Sequence, residues 1–356
     1  MNRRSFHKLT LGAGASLTSS FLAAADSAPA PGNVRIGQIG TGHAHAGAQF
    51  AALRKCPGFE VVGVVEPDEA RRKRAETKAD YEGVKWMTEE ELLNSPGLQA
   101  VSVETEVSGL LEHAQKVADA GLHLHLDKPA GESLPKFRQI IKTLGEKKRL
   151  LKMGYMFRFN PGFEFLFHAA REGWLGDIFS VDAAMSKVLS DGERKSMLRY
   201  GGGSMFELGC HIIDATLLLM GKPDRVIPYI RKSREDGLPD NMMAVLEYPQ
   251  ATVTLRSAFI EVEGGPRRQF VACGTKGTCD IRPLEAPEVK FALSKPVESF
   301  HKGYQSVPLP KGPRFEADWA AFASAIRGET PWPYTPEHDL AVQETILLAS
   351  GMSLNA

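Results

Sequence analysis

The sequence has no surplus of charge of either sign. Lysine and arginine together number 43, and aspartate and glutamate also number 43, in a chain of 356 residues. A protein that binds nucleic acid or an anionic membrane through its overall charge carries a basic excess. The balance therefore argues against both kinds of partner.

Cysteines and long hydrophobic runs are also scarce. Four cysteines are too few to form the framework of a fold of this length, and no apolar run suits a transmembrane helix in the mature protein. Cys273 and Cys279 flank a predicted hairpin turn, so a disulfide between them stays open. The length allows two domains, each with its own core.

Residues 1–32 have the features of an export signal and linker. Arg3 and Arg4 precede an aromatic residue, and a weakly apolar run follows as far as Ala25. This pattern is typical of a twin-arginine signal, with cleavage predicted after Ala25 and a periplasmic or otherwise exported mature protein. Residues 28–30 offer a second cleavage site, and a disordered cytoplasmic leader is the alternative.

The next segment, residues 33–153, alternates strands with helices and predicts a Rossmann-type parallel sheet. A strand at 34–39 leads into Gly40-Thr41-Gly42-His43, and a second strand at 59–65 ends in Glu66. Strand, glycine turn, helix, strand and terminal acid is the order that binds a dinucleotide. Gly40 allows the tight turn, and Gly42 lets the backbone approach a pyrophosphate. His45 stands at the position of the third glycine.

The acid at the end of the second strand favours NAD as the cofactor. Glu66 would accept hydrogen bonds from the adenosine ribose and repel a 2′-phosphate. Arg71 and Arg72 follow closely, so NADP remains possible.

A lysine lies at the end of another predicted strand, residues 122–127. Pro129 ends the strand and holds Lys128 extended at the carboxyl edge of the sheet, where ligands bind. Glu104 and Thr105 end a neighbouring strand and are predicted near the cofactor. A solvated lysine is the alternative.

Four histidines invite a metal site: His43, His45, His123 and His125. No cysteine or acid completes a recognisable ligand spacing around them, so no metal is predicted. We interpret them as neutral side chains near the cofactor.

The remaining residues, 154–356, predict an α+β domain with an open, mostly antiparallel sheet. A helix over 205–220 places Glu207, His211 and Asp214 on one face. Two acids and a histidine on an apolar helix need partners, which predicts a site. A structural hydrogen-bond cluster is the alternative.

These motifs together resemble the Gfo/Idh/MocA oxidoreductases over nearly the whole mature chain. Asp127-Lys128-Pro129 is similar to the family's Glu-Lys-Pro, and the glycines at 201–203 precede Glu207, His211 and Asp214 as the family's glycines precede Asp, His and Asp. The resemblance implies an NAD(P)-binding Rossmann domain, a second domain whose sheet forms homo-oligomer contacts, and sugar, inositol or polyol substrates.

The resemblance also implies roles for individual residues. Lys128 would polarise the reacting oxygen near the nicotinamide, His211 would be the general acid/base, and Glu207 holds the position of its partner aspartate. The implied substrate pocket contains Tyr155, Arg158, His211 and Asp214. The predicted cofactor-binding residues are Gly40, Thr41, Gly42, His43, Glu66, Glu104, Thr105, Asp127, Lys128 and Pro129.

Three functions are consistent with this sequence. The first is an exported oxidoreductase that transfers hydride between a tightly bound NAD(P) and a sugar, inositol or related polyol. The second is a redox-neutral, NAD-dependent glycosidase, and the third is a non-catalytic sugar-binding protein.

Overall fold

The structure is a computed structural model that describes residues 32–355. The predicted export signal, with its cleavage after Ala25, lies outside these residues. No helix in the described range is both long and apolar enough to cross a bilayer. The predicted division at residues 153 and 154 falls between two sheets and stays a prediction as a domain boundary.

The first sheet has five parallel strands and confirms the predicted Rossmann-like architecture. Its strand order is β2-β1-β3-β4-β5. The order reverses beside β1, and a crevice for ligands opens at the carboxyl ends of the strands at such a point. The strands are β1 Val34–Ile39, β2 Phe59–Val65, β3 Ala100–Val103, β4 His123–Leu126 and β5 Leu151–Met153.

Five helices connect and flank these strands. They are α1 Ala46–Lys55, α2 Glu69–Glu76, α3 Glu89–Leu93, α4 Val107–Asp119 and α5 Leu134–Glu146. Their starts follow local capping chemistry: Thr88 and Glu91 form a capping box at α3. β5 ends at Met153, and the next residue, Gly154, packs against the Asp127 side chain.

The second sheet has eight strands in the order β13-β12-β11-β10-β6-β9-β8-β7. Every neighbouring pair is antiparallel except β6 with β9, so the predicted mostly antiparallel sheet is confirmed. Two of these strands, β12 and β13, were not predicted from the sequence. The strands are β6 Ile178–Ala184, β7 Arg225–Arg231, β8 Asn241–Tyr248, β9 Ala251–Ala258, β10 Gln269–Gly274, β11 Gly277–Ile281, β12 Val289–Leu293 and β13 Gly303–Val307.

The two cysteines of the β10–β11 hairpin do not form a disulfide. Cys279 pairs across the hairpin with Ala272, whereas Cys273 pairs with Thr278. Neighbouring residues of a strand point to opposite faces, so the two thiols lie on opposite faces of the sheet. Both cysteines are free, and the disulfide considered above is wrong.

The helices of the second half cover one face of the eight-stranded sheet and reach back to the first. They are α6 Pro161–Arg171, α7 Asp191–Met197, α8 Cys210–Met220, α9 Glu316–Ile326 and α10 Pro336–Ala349. The predicted helix over 205–220 begins with a π-helical turn at Met205–Gly209. α9 packs on the first sheet, where Trp319 lies edge-on to Phe59 with ring centroids 5.6 Å apart.

Candidate active site

The glycine turn after β1 can only be built with glycine at its first position. Gly40 has a φ of 90°, and a Cβ there would lie 2.6 Å from the backbone nitrogen of Thr105. The amide of Gly40 donates to Val65 O at 2.7 Å, which ties the turn to β2. α1 begins at Ala46 without an acid in its first turn, so its amino end suits an anion.

Glu66, at the end of β2, is held against this turn. Its Oε2 accepts from both the amide and the hydroxyl of Thr41 at 2.7 Å, and its Oε1 accepts from Arg71 Nε at 3.3 Å. A groove opens beside these side chains between the carboxyl ends of β2 and β3. It is lined by Glu66, Pro67, Arg71, Thr105, Glu106, Ser108, Gly109 and His113.

The turn and the groove fit the adenosine and pyrophosphate part of a dinucleotide. The open amino end of α1 offers amides to phosphate, and Glu66 lies where it can meet a ribose hydroxyl. The structure therefore brings Gly40, Thr41, Gly42, Glu66 and Thr105 together, and their part in binding the cofactor stays a prediction.

Lys128 is buried, so the solvated lysine considered above is wrong. Only 2% of its surface is exposed, and its Nζ donates to Glu207 Oε1 at 3.0 Å and to Glu207 O at 2.9 Å. Burial alone would lower the pKa of Lys128, but Glu207 outweighs it and the pKa is raised. The same ammonium outweighs the burial of Glu207 and lowers the pKa of that carboxyl. Both groups are charged.

Glu207 lies in the π-helical turn that precedes α8, and its carboxylate has a second partner besides Lys128. Its Oε2 accepts a hydrogen bond from the hydroxyl of Tyr200 at 2.8 Å. The carboxylate is thus fixed between an ammonium and a phenol. Among the described residues it contacts Lys128 and Tyr200 and forms no hydrogen bond with His211, which shares its helix face; its predicted part in catalysis stays a prediction.

His211 lies one turn further along α8 and is also buried. Its Nδ1 accepts from the backbone amide of Met156 at 3.4 Å. Burial, followed by the charges of Lys128, His45 and Arg314, holds the pKa of His211 well below its usual value. The imidazole is neutral, and it shares one buried region with the ammonium of Lys128 from the first sheet.

Arg158 and Asp214 bind each other inside the molecule. Arg158 Nη2 donates to Asp214 Oδ1 at 2.7 Å and to Asp339 Oδ1 at 2.6 Å, and His338 Nε2 lies 3.1 Å from Asp214. These contacts are the ones expected if Asp214 belongs to a structural hydrogen-bond cluster. The predicted place of Asp214 in the substrate pocket stays a prediction. The sequence analysis missed Asp339 and His338, which α10 supplies.

Tyr155 lies between this cluster and His211. Its ring is 5.0 Å from the Arg158 guanidinium carbon and 6.2 Å from the His211 ring. Its buried hydroxyl has no hydrogen-bond partner within residues 32–355. This unpaired hydroxyl suits contact with a substrate hydroxyl.

Below the carboxyl edge of the first sheet, Glu104 begins a chain of buried polar side chains. Its Oε1 lies 3.0 Å from His125 Nε2, and His125 Nδ1 lies 3.1 Å from Lys152 O. Lys152 Nζ binds Asp318 at 2.9 Å. Burial, reinforced by Asp127, raises the pKa of Glu104 well above its usual value, so this acid is protonated. Glu104 faces the interior instead of the groove.

Arg314 and Phe315, the two residues that precede α9, contact the site from the other side. The Phe315 ring lies 5.8 Å from the His45 ring, and His45 lies 5.8 Å from the His211 ring. Arg314 Nη2 is 3.4 Å from His45 Nε2. Sequence reasoning missed both residues, because a loop between two elements carries no motif that predicts where it packs.

Comparison with known proteins gives the family of both halves. Residues 34–155 match the oxidoreductase family with an NAD-binding Rossmann fold, and residues 164–280 match the GFO/IDH/MocA C-terminal domain. D-xylose 1-dehydrogenase (NADP+) 2 of Haloferax volcanii is 28% identical over 301 residues, which cover 81% of this chain and 87% of that protein.

Two further relatives extend the comparison. The scyllo-inositol 2-dehydrogenase (NADP+) IolW of Bacillus subtilis is 27% identical over 289 residues, 75% of this chain and 80% of that protein. The aldose-aldose oxidoreductase of Caulobacter crescentus superimposes with a TM-score of 0.76 at 19% identity, covering 90% of this chain and 98% of that one. This last similarity shows the fold.

Proposed function

Because the chain belongs to the Gfo/Idh/MocA family of NAD(P)-dependent oxidoreductases, we propose that it oxidises or reduces a hydroxyl carbon of a sugar, inositol or related polyol. The family membership establishes an enzyme with an NAD-binding Rossmann fold. The substrate class is supported by the xylose and inositol dehydrogenases among its relatives.

One observation carries the proposal: Lys128 and His211 reach a single buried region from the two halves of the chain. Lys128 is held by Glu207, which lies four residues before His211. An ammonium and an imidazole at one reacting oxygen are the groups that alcohol oxidation needs. Bound nicotinamide supplies the hydride chemistry.

The hydrogen bonds of these side chains suggest how each acts. Lys128 stabilises the negative charge that develops on the reacting oxygen. Since Nδ1 of His211 accepts from Met156, the neutral ring carries its proton on Nε2, where it can donate to a ketone oxygen. In the oxidative direction the ring must give up the Met156 contact and take the other tautomer to accept the hydroxyl proton.

The first test identifies the nucleotide and then the chemistry. Mass spectrometry of small molecules released from the denatured protein should find NAD or NADP. A panel of sugars and polyols should then change the nicotinamide absorbance. Protein without nucleotide and without affinity for either form would contradict the proposal, whereas cleavage of a glycoside without net change in NADH would indicate the redox-neutral glycosidase.

Substitution of His211 tests the assigned acid/base. His211→Gln should lower turnover by about 10²- to 10⁴-fold, the usual contribution of a general acid or base. Nucleotide affinity should stay within a few-fold, since His211 does not contact the groove beside Glu66. Unchanged turnover would remove His211 from the mechanism.

For the cofactor we propose a preference for NAD over NADP. Support comes from Glu66, whose carboxylate lies at the groove and would repel a 2′-phosphate, although Arg71 contacts that carboxylate and both named dehydrogenase relatives use NADP+. Glu66→Gln should narrow the ratio of NADPH to NADH dissociation constants by about tenfold, the equivalent of about 1.4 kcal/mol. A wild-type protein that binds NADPH more tightly would contradict the preference.

We also propose that the mature protein is exported and that it keeps its cofactor bound during turnover. The paired Arg3 and Arg4 support export. Free nicotinamide nucleotide is scarce outside the cytoplasm, so a second substrate would regenerate the bound cofactor. Cell fractionation should show loss of export when both arginines become lysine. An unchanged distribution would contradict export by this route.

Finally, we propose a homo-oligomer formed through the uncovered face of the second sheet. Along β9 the side chains alternate between buried and accessible, so one face of this sheet is open. Ile227 and Val245 pair on that open face, and Tyr229 is 45% exposed beside them. Sedimentation should show a dimer or larger assembly that Val245→Glu weakens. A wild-type monomer at high concentration would contradict the proposal.

A further inference from the structure

Three potential metal ligands meet at the carboxyl edge of the first sheet. Asp127 Oδ2 contacts Nδ1 of His43 and lies 3.5 Å from Nδ1 of His45. The three ligand atoms all lie within 4.8 Å of one another. Apart from these contacts within the cluster, Asp127 Oδ2 and His45 Nδ1 have no hydrogen-bond partner in the part of the chain that the structure describes. Buried polar atoms are nearly always paired, so this convergence indicates a point that binds a ligand.

The surrounding hydrogen bonds orient the lone pairs toward that point. His43 Nε2 lies 3.0 Å from the Lys128 carbonyl oxygen and must donate to it, so a neutral His43 has its lone pair on Nδ1. Asp127 Oδ1 accepts from the Lys128 amide at 2.7 Å, which turns Oδ2 toward the histidines. A backbone carbonyl on the second nitrogen is the usual outer support of a metal-binding histidine.

Among residues 32–355, one backbone group competes for the Nδ1 lone pair of His43. The backbone amide of His45 lies 3.2 Å from it, a long contact. A single proton between His43 and Asp127 would satisfy one nitrogen and one oxygen and leave His45 Nδ1 with only its 3.5 Å contact to Asp127 Oδ2. A cation would bind all three atoms.

A second buried acid lies beside this cluster. Glu104 Oε2 lies 4.0 Å from His43 Nδ1 and has no hydrogen-bond partner among residues 32–355. Glu104 and Asp127 are both fully buried.

From this geometry we propose that His43, His45 and Asp127 bind one divalent transition-metal ion. Two imidazole nitrogens and one carboxylate oxygen are a donor set for Zn²⁺ or Fe²⁺, and in catalytic sites it leaves coordination positions open. The His45 ring lies 5.8 Å from the His211 ring, so an open position can face the region of the reacting oxygen. The metal site does not depend on the proposed substrate.

The test measures metal directly on the full chain. Elemental analysis of the purified protein should find about one equivalent of zinc or iron. After removal of metal by a chelator, Co²⁺ should restore one equivalent, with visible d–d absorption. Protein that contains no metal and binds neither Zn²⁺ nor Co²⁺ would overturn the proposal.

Matched variants locate the site. His45→Ala and Asp127→Asn should each weaken Co²⁺ binding by at least about 100-fold, since even outer-shell partners contribute about 10- to 100-fold. His45 is partly accessible and Asn is isosteric with Asp, so both variants should fold, which circular dichroism checks. His301→Gln removes an exposed histidine outside the site and should leave Co²⁺ binding unchanged. Equal losses in all three variants, or no loss in the first two, would overturn the site.

A titration with NADH separates this proposal from the proposed function. If His45→Ala and Asp127→Asn weaken NADH binding while no variant binds metal, a ribose hydroxyl occupies the cluster. The metal site is then overturned and the oxidoreductase proposal stands. If the protein binds metal but no nucleotide, the metal site stands and the oxidoreductase proposal is overturned.

Discussion

The two ends of the crevice are built in different ways. At the adenosine end, Thr41 donates to Glu66 and Gly40 donates to Val65 O through short hydrogen bonds within a single strand–turn–helix–strand unit. At the reacting end, Lys128 is held by Glu207, which comes from the other half of the chain. The first end is a local motif, and the second is a set of buried charges that only long-range packing assembles.

This difference predicts different costs of substitution. A local turn loses backbone geometry when it is changed, whereas a buried ion pair leaves a charge without compensation. Substitutions at Lys128, Gly40 and His123 test that contrast.

Lys128→Met should destabilise the protein by about 3–5 kcal/mol, because Glu207 then remains as an unpaired buried carboxylate. Urea unfolding measures the change. Adding Glu207→Gln should restore at least half of the loss, since the second substitution removes the uncompensated charge. If Lys128→Met lowers the free energy of unfolding by less than about 1 kcal/mol, the Lys128–Glu207 ion pair contributes little to stability. The contrast between the two ends of the crevice would then be wrong.

Gly40→Ala should destabilise the protein by about 1–3 kcal/mol through backbone strain and should also abolish nucleotide binding. Gly83→Ala is the matched control: its φ of 71° is also positive, but no atom lies within 4 Å of an added Cβ. The control should lose stability and keep its nucleotide affinity. Equal nucleotide binding in the two variants would contradict the assignment of the turn.

The smallest effect concerns His123, at the end of β4 away from Lys128. Burial, with a contribution from Arg149, lowers the pKa of His123 to about 4. The unfolded chain takes up this proton near pH 6.5 and the folded protein only near pH 4, so stability falls as the pH drops through that interval. The slope for one such group is about 1.4 kcal/mol per pH unit.

His123→Asn keeps an acceptor for the Leu150 amide and should reduce this acid sensitivity. Thermal unfolding at pH 7 and pH 5 measures it. An unchanged difference between the two pH values would show that His123 does not titrate in this interval. Nucleotide affinity at pH 7 should stay the same, because the side chain lies outside the groove.

The same difference between local motifs and long-range packing decides what could be predicted from the sequence. The bounds of β1 and β2 agree with those predicted, because a short apolar strand between a turn and a helix is specified by its own residues. The strands β12 and β13 were missed, since each has only five residues and prolines lie close to their ends. The disulfide was wrong because register, which the spacing of two cysteines does not determine, separates the thiols.

The proposed metal ligands show that spacing in the sequence does not reveal contacts between distant residues. His43 and His45 were set aside because no acid stood at a ligand spacing near them. Asp127 completes the set only when β4 lies beside the glycine turn. No periodicity in the sequence relates these positions.

The sequence by itself determined the dinucleotide turn, the acid that follows β2 and the order of elements, because hydrogen bonds and side-chain alternation over a few residues specify them. Tertiary structure alone decided which charges become partners: Glu207 with Lys128, Asp339 with Arg158, Asp127 with two histidines. The physical reason is burial, since a charge taken out of water must find its counterpart wherever the folded chain places one.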